Sequence, residues 1–303
     1  MIGGTGGGDP LTAPLTYPGL SPQRPAVLVT TTEIFGVEPV PAAALAQWIV
    51  TSATPAAPGG APAPDGPAGV ATPLDRFLQD QGTPPVAQRT PVLSVGSNAS
   101  PAQIRRKMAS AGLHPVVLVT RVRVHGLVAG VSAHVSRPGY VPATPVADPA
   151  AVSDMWVLWL DPEALSALDG TEPNYRRIPL SPRYPVHLLP GLPVLAPGLA
   201  VRGCSVYVSR HGHLTGRAGQ PRLLTDQATL ITGLLAEVPG LARLAGATPD
   251  EWIRRTRDER VRDRIHALFL AAGIVEPAAI EAGRAPRSRE VSTQAGPPRK
   301  HSP

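Results

Sequence analysis

Two short segments hold the residue types able to do chemistry in this 303-residue chain. The first is Val95-Gly96-Ser97-Asn98-Ala99-Ser100, a glycine and small polar residues where an apolar stretch gives way to a helix start. A glycine lets the backbone approach a ligand closely. The free N–H groups of the following helix favour an anion, so a carboxylate or phosphate can dock there. An ordinary helix entry is the plainer reading of such a common turn-plus-cap pattern. The second segment, Leu168-Asp169-Gly170-Thr171-Glu172-Pro173-Asn174-Tyr175-Arg176-Arg177, follows an apolar run containing Trp156 and Trp159. A carboxylate at the edge of a buried sheet can serve as a general base. The competing reading pairs Asp169 and Glu172 with Arg176 and Arg177 as surface charges.

These residues need elements to hold them. Thr90–Val95 reads as a short apolar strand. Ser100-Pro101-Ala102-Gln103 reads as a helix start, with Ser100 as N-cap, Pro101 at the first helical position and Gln103 closing a capping box; the helix runs to about Ser110 and stops at Gly112. Val116–Val124 and Leu127–Val135 read as strands, the first partly alternating. Met155–Leu160, a continuous apolar run, reads as a buried central strand. A short helix Pro162–Leu168 starts at Asp161, and extended structure resumes over Tyr175–Leu180. Gly203–Ser209 is a further strand. Two helices follow, Asp226–Glu237 capped by Thr225 and Pro249–Ala272 capped by Thr248 with Glu251 closing its capping box. Several strands in near-succession predict a mixed or antiparallel sheet curling into a barrel, with Val92, Leu93, Trp156, Leu158 and Leu168 buried.

Outside this core the sequence changes character. Residues 1–50 form an N-terminal extension with a strand at Ala26–Thr32 and a helix at Pro41–Val50, too small for a core of its own. Thr51–Thr72 is a linker in which 16 of 22 residues are Ala, Pro or Gly, stiff and without an apolar period to bury. The predicted organisation is an extension at 1–50, a linker at 51–87, a barrel at 88–210, a helical extension at 211–283 and a basic tail at 284–303. Neither the linker nor the chain beyond about Pro286 is expected to pack.

Composition narrows the function classes. The net charge is +6, of which the tail from Arg284 onward carries +4. The body is left with too little positive charge for a nucleic-acid footprint. The single Cys204 excludes an intrachain disulfide framework and a cysteine-based structural zinc site. Cys204 lies in an apolar strand pattern and reads as an inert buried thiol. His211-Gly212-His213 offers two imidazoles with no carboxylate or thiol at ligand spacing, so a loop role is favoured over a metal site. The interleaved charges of Asp250–Arg264 read as a salt-bridged solvent face, with Ile253, Val261, Ile265, Leu268 and Phe269 supplying the apolar side. No signal segment opens the chain. The apolar stretch Leu188–Val201 is broken by prolines and too short to span a bilayer. The expectation is a cytoplasmic chain with no membrane or nucleic-acid partner; its oligomeric state is open.

Taken together, the two segments resemble the gamma-glutamylcyclotransferase family. Its Tyr-Gly-Ser-Asn loop after the first strand corresponds to Val95-Gly96-Ser97-Asn98. Its Ala-Thr pair in a middle strand corresponds to Ala143-Thr144. Its Leu-Asp-x-x-Glu-Gly element followed by a Tyr-x-Arg strand corresponds to Leu168–Arg177. The resemblance covers about Thr90 to Leu180, with Val95 in place of the family's Tyr and Pro173 in place of its Gly. It implies an α+β fold, a small mixed β-barrel with flanking helices, to which this chain adds a C-terminal helical extension. It implies Glu172 as catalytic acid/base, and Gly96, Ser97, Asn98 and Tyr175 as substrate-binding residues. The implied substrate is a small-molecule γ-glutamyl amine or peptide, cyclised to 5-oxoproline without metal or cofactor. A second reading keeps the fold as a non-catalytic ligand- or protein-binding module. The position of Glu172 separates the two: an enzyme needs its carboxylate in a cavity beside Gly96–Asn98, whereas an exposed Glu172 paired with Arg176 favours the binder.

Overall fold

The structure, a computed structural model, describes residues 9–55, 71–189, 199–216 and 218–283. Residues 56–70 of the linker predicted at 51–87, and the tail from 284, lie outside the described residues, as does the middle of the apolar stretch Leu188–Val201. Residues 72–80 of that linker are instead ordered as a short strand and a helix with Leu74 and Leu78 buried.

The N-terminal strands are β1 (Ala26–Thr30), β2 (Glu33–Glu38), β3 (Ile49–Pro55) and β4 (Thr72–Pro73), followed by helix α1 (Leu74–Asp80). The helix expected at Pro41–Val50 does not form. Only a 3-10 turn, Leu45–Gln47, precedes β3, because Ile49 and Val50 extend the hairpin by pairing with Glu38 and Val37. Strand β3 also takes in the first residues of the predicted linker, Thr51 to Pro55. These strands do not stand apart: β1 pairs antiparallel with the later strand β6 (Val116–Val131), Val27 opposite Val119.

The central elements are β5 (Thr90–Ser94), α2 (Pro101–Ser110), β6 (Val116–Val131), β7 (Ala143–Leu160), α3 (Pro162–Gly170), β8 (Tyr175–Pro179), β9 (Val186–Leu188) and β10 (Ser205–Ser209). Strands β5 and β7 pair antiparallel, so the two apolar runs Thr90–Val95 and Met155–Leu160 share one sheet. The two strands expected over 116–135 are one long strand with a register shift between His125 and Leu127. Gly126 sits at that bulge with φ +78°, a conformation that costs a glycine little. Asp161 caps α3 by accepting from Ala164 N–H at 2.8 Å. By contrast Ser100 makes no side-chain cap on α2, and Gln103 turns away to donate to Asp9 Oδ1 at 2.7 Å.

The fold is mixed α+β around a ten-stranded sheet of order β4-β3-β2-β1-β6-β7-β5-β10-β8, with β9 on β6. Among the described residues this path does not close on itself, so the expected barrel is an open sheet here. Strand alternation divides the core. Leu28, Leu118 and Val122 face α1, while Val27, Val119 and Leu158 face Ile104 and Met108 of α2 and Leu168 of α3. Burial on both faces explains why these strands read as continuous apolar runs. Val92, Leu93, Leu158 and Leu168 are buried as expected, but Trp156 is only partly covered.

The C-terminal part comprises β11 (His213–Leu214), α4 (Gln227–Glu237), α5 (Leu241–Ala245), α6 (Pro249–Arg255), α7 (Glu259–Ala271) and β12 (Val275–Glu276). Helix α4 is capped by Asp226, which accepts from Thr229 N–H at 2.9 Å, rather than by Thr225. The single helix expected over 249–272 is two, because Thr256 to Asp258 break it and Asp258 caps α7. Thr248 caps α6 as expected, while Glu251 reaches Ala247 N–H at 2.7 Å instead of closing the box. The interleaved charges form no salt bridges among the described residues. Arg255 and Arg262 instead donate to backbone carbonyls, of Arg243 and Leu244 and of Thr256 and Arg257. Ile265 and Phe269 are fully buried with Trp252, against the far end of β6. No helix among the described residues is long and apolar enough to cross a membrane.

Candidate functional site

Strand β10 brings the two chemical segments together. It runs parallel to β5 and antiparallel to β8. The end of β5, which leads into Gly96-Ser97-Asn98, and the start of β8, which follows Glu172, therefore emerge on the same side of the sheet. Between them opens a cavity of about 330 Å³.

Glu172 occupies the turn between α3 and β8, where its N–H bonds Asp169 O at 3.1 Å and its carbonyl accepts from Tyr175 N–H at 3.0 Å. Its side chain lines the cavity and is 12% exposed. Asn98 Nδ2 donates to Glu172 Oε1 at 3.0 Å. Lys107, from the C-terminal half of α2, donates to the same Oε1 and to Asn98 Oδ1, both at 2.6 Å. The three side chains thus form a closed triangle that uses one carboxylate oxygen and leaves Oε2 with no hydrogen bond among the described residues. Glu172 does not pair with Arg176. Asp169 takes the surface role, with Arg177 at 2.8 and 2.9 Å and Tyr207 Oη at 2.6 Å. The Arg177 bonds hold its carboxyl below the usual range.

Of the other sequence-predicted residues, Gly96, Asn98 and Tyr175 line the cavity, and Ser97 does not. A Cβ on Gly96 would collide with the hydroxyl of Tyr17 and lie 3.2 Å from the Ala143 methyl. Glycine is therefore required there for close approach. Tyr17 Oη accepts from Ala143 N–H at 2.9 Å, and Tyr175 Oη donates to Ala143 O at 2.8 Å. The start of β7 is thus held between two phenols. Tyr140 stacks on Tyr17 with centroids 4.3 Å apart. Burial pushes the Tyr140 hydroxyl up to about 12, with the Glu172 charge adding to the shift. Burial raises Tyr17 and Tyr175 as well. All three phenols are neutral hydrogen-bonding groups near pH 7.

Tyr17, Tyr140, Arg106 and Lys107 are absent from the sequence-predicted set. The tyrosines lie far in sequence from either motif and carry no local signal. The basic pair does carry one: Gln103, Arg106, Lys107 and Ser110 recur at helical spacing, all four line the cavity, and Ile104 and Met108 face the core. Arg106 lies 3.9 Å from Asp9, and its Nε is buried without a hydrogen-bond partner among the described residues.

Cys204 is buried, and burial pushes its thiol up to about 12. His211 and His213 go separate ways, the former to Asn174 Oδ1 at 3.2 Å and the latter 3.9 Å from Glu276. Among the described residues no group of three or more His, Cys, Asp or Glu side chains is arranged to hold a metal ion. No protein-family model matches the chain, and no curated protein matches it significantly.

Proposed function

We propose that the chain is a gamma-glutamylcyclotransferase-like enzyme that releases 5-oxoproline from a γ-glutamyl amine or peptide. The observation that carries this reading is the hydrogen bond between Asn98 and Glu172 within one cavity, 74 positions apart in sequence. In the reaction, the α-amine of the γ-glutamyl group attacks its own γ-carbonyl. A five-membered lactam forms, and the bond from that carbonyl to the leaving nitrogen breaks. The α-nitrogen starts as an ammonium and is no nucleophile, so a carboxylate must take its proton and later return one to the leaving amine. Glu172 Oε2 is the oxygen free for this, because Lys107 and Asn98 both hold Oε1. Holding the chain folded between the Gly96–Asn98 loop and the tyrosines supplies the second advantage, since nucleophile and electrophile share one molecule. Arg106 and the N–H groups around Gly96 suit the substrate's α-carboxylate. Tyr17 supports the reading further: it brings a phenol to Gly96 although Val95 has taken the place of the family's tyrosine.

The second reading, a binding module on the same fold, is favoured by one observation: Lys107 neutralises Glu172 at 2.6 Å. Measuring 5-oxoproline release over a panel of γ-glutamyl compounds separates the two, since only the enzyme yields product.

A further inference from the structure

A second cavity of about 200 Å³ adjoins the first and shares His134, Arg137 and Asn174 with it. Its far wall is α7, through Glu259, Asp263 and His266. This wall comes from the C-terminal helices, outside the stretch that resembles the gamma-glutamylcyclotransferases.

The lining is rich in hydrogen-bond acceptors. His266 Nδ1 lies 2.6 Å from Ala133 O, a carbonyl that can only accept, so Nδ1 carries a proton. His211 gives its Nε2 proton to Asn174 Oδ1 at 3.2 Å, leaving Nδ1 as an acceptor. His134 Nδ1 faces Ser132 Oγ at 2.6 Å, and that hydroxyl gives its own proton to Ser209 at 2.7 Å. Nε2 of His134, a residue only 6% exposed, is then left with a lone pair and no partner among the described residues. The rings pack in series, His134 on His211 with centroids 4.6 Å apart and His211 against His266 at 5.4 Å. Burial and mutual repulsion lower His134 and His211, which keeps both neutral. The carboxylates of Glu259 and Asp263 make no hydrogen bond or ion pair among the described residues. Of the two cations in the lining, Arg262 spends its guanidinium on the carbonyls of Thr256 and Arg257, at 2.8 and 2.9 Å. Arg137 stands at the wall shared with the first cavity. The acceptors do not converge as metal ligands. They suit an organic donor, and two free carboxylates suit an ammonium.

We infer that the second cavity receives the leaving group of the γ-glutamyl substrate, and that this leaving group carries a second amine, held as its ammonium by Glu259 and Asp263. The inference rests on the cyclotransferase reading of the first cavity. Bonding changes stay as derived above: the amide nitrogen leaves with a proton from Glu172, and the distal ammonium takes no part.

The test compares mono-γ-glutamyl-1,4-diaminobutane with γ-glutamyl-pentylamine, in which a methyl group replaces the distal ammonium. The wild type should favour the diamine compound about tenfold in kcat/KM, the worth of two solvent-open ion pairs. The double variant Glu259→Gln/Asp263→Asn should lose that preference and retain the wild-type kcat/KM on the pentylamine compound. Equal kcat/KM for the two compounds in the wild type would overturn the inference and leave the cyclotransferase reading standing. A preference that survives in the double variant would overturn the assignment to α7. Release of 5-oxoproline from neither compound would overturn the inference together with the reading beneath it.

Discussion

Replacing Glu172 by Gln removes a charge and little else. Gln keeps a carbonyl oxygen where Oε1 stands, so Lys107 and Asn98, at 2.6 and 3.0 Å, can still donate to it. What disappears is the charge that makes the Lys107 bond an ion pair. The Asn98 bond falls from the class made to a charged group, about 1.5–3 kcal/mol, to the neutral class, about 0.5–1.5, while the Lys107 bond stays charge-assisted, so the variant should lose roughly 1 kcal/mol of stability. For a chain of this size that lowers Tm by about 2–4 °C. The effect on turnover should be far larger. An amide cannot accept the α-ammonium proton at neutral pH, and loss of general-base help costs on the order of 10²–10⁴ in rate. Chromatographic measurement of 5-oxoproline, alongside a thermal melt, reads both quantities. Asp169→Asn is the internal control: Asp169 does not line the cavity, though its partner Tyr207 does, and loss of its bonds to Arg177 and Tyr207 should leave most activity. Wild-type turnover in Glu172→Gln would refute the mechanism. A collapse of the fold would refute the account of the triangle.

Lys107→Met should be the more damaging change to stability, because it leaves the Glu172 carboxylate, 12% exposed, without a counter-charge and also removes the two hydrogen bonds of the ammonium, which Glu172→Gln keeps. Thermal or urea denaturation should show a loss of about 2–3 kcal/mol, somewhat below the ~3–5 kcal/mol for breaking a fully buried pair. Gly96→Ala drives a methyl into the Tyr17 hydroxyl and should cost about 1–3 kcal/mol. In a double-mutant cycle, Tyr17→Phe should relieve part of that cost, and strict additivity would argue against the contact. The third concerns pH. His134 is pushed down to about 3 by burial, whereas an unfolded histidine titrates near ~6.5. The unfolded state therefore binds the extra proton between these values. The stability held by the neutral ring is complete above about pH 6.5 and is lost as pH falls toward 3, by about 2 kcal/mol between pH 7 and 5. Urea melts of His134→Gln should show a pH 7-to-5 loss smaller by that amount.

The legible parts of this fold are those where local signals are strong. Pro101 at the first turn and Gly112 beyond the last mark α2 to the residue, and Asp161 marks the start of α3. The continuous apolar runs at Thr90 and Met155 reveal a sheet buried on both faces. The misread parts depend on partners distant in sequence. Pro41–Val50 has the composition of a helix, yet Ile49 and Val50 are claimed by β2. The single helix expected after Pro249 is broken at Asp258, whose side chain caps the next one. At the site, Gly96, Asn98 and Glu172 are legible because each lies in a short polar segment that follows an apolar run, Thr90–Val95 for the first two and Met155–Leu160 with its short helix for the third. Tyr17 is not, because a tyrosine nearly eighty positions before the loop gains its place only through Ala143 and Gly96. Lys107 lies between these cases: its helical stripe with Gln103, Arg106 and Ser110 is visible in sequence, but its partner is not.

The most direct measurement is the wild-type protein against a panel of γ-glutamyl amines and peptides, following 5-oxoproline and the released amine together. The account predicts equimolar appearance of both products from at least one compound, with no added metal or cofactor. Absence of 5-oxoproline from every compound, by a protein that is folded and binds γ-glutamyl ligands, would contradict it and make the cavity a binding site.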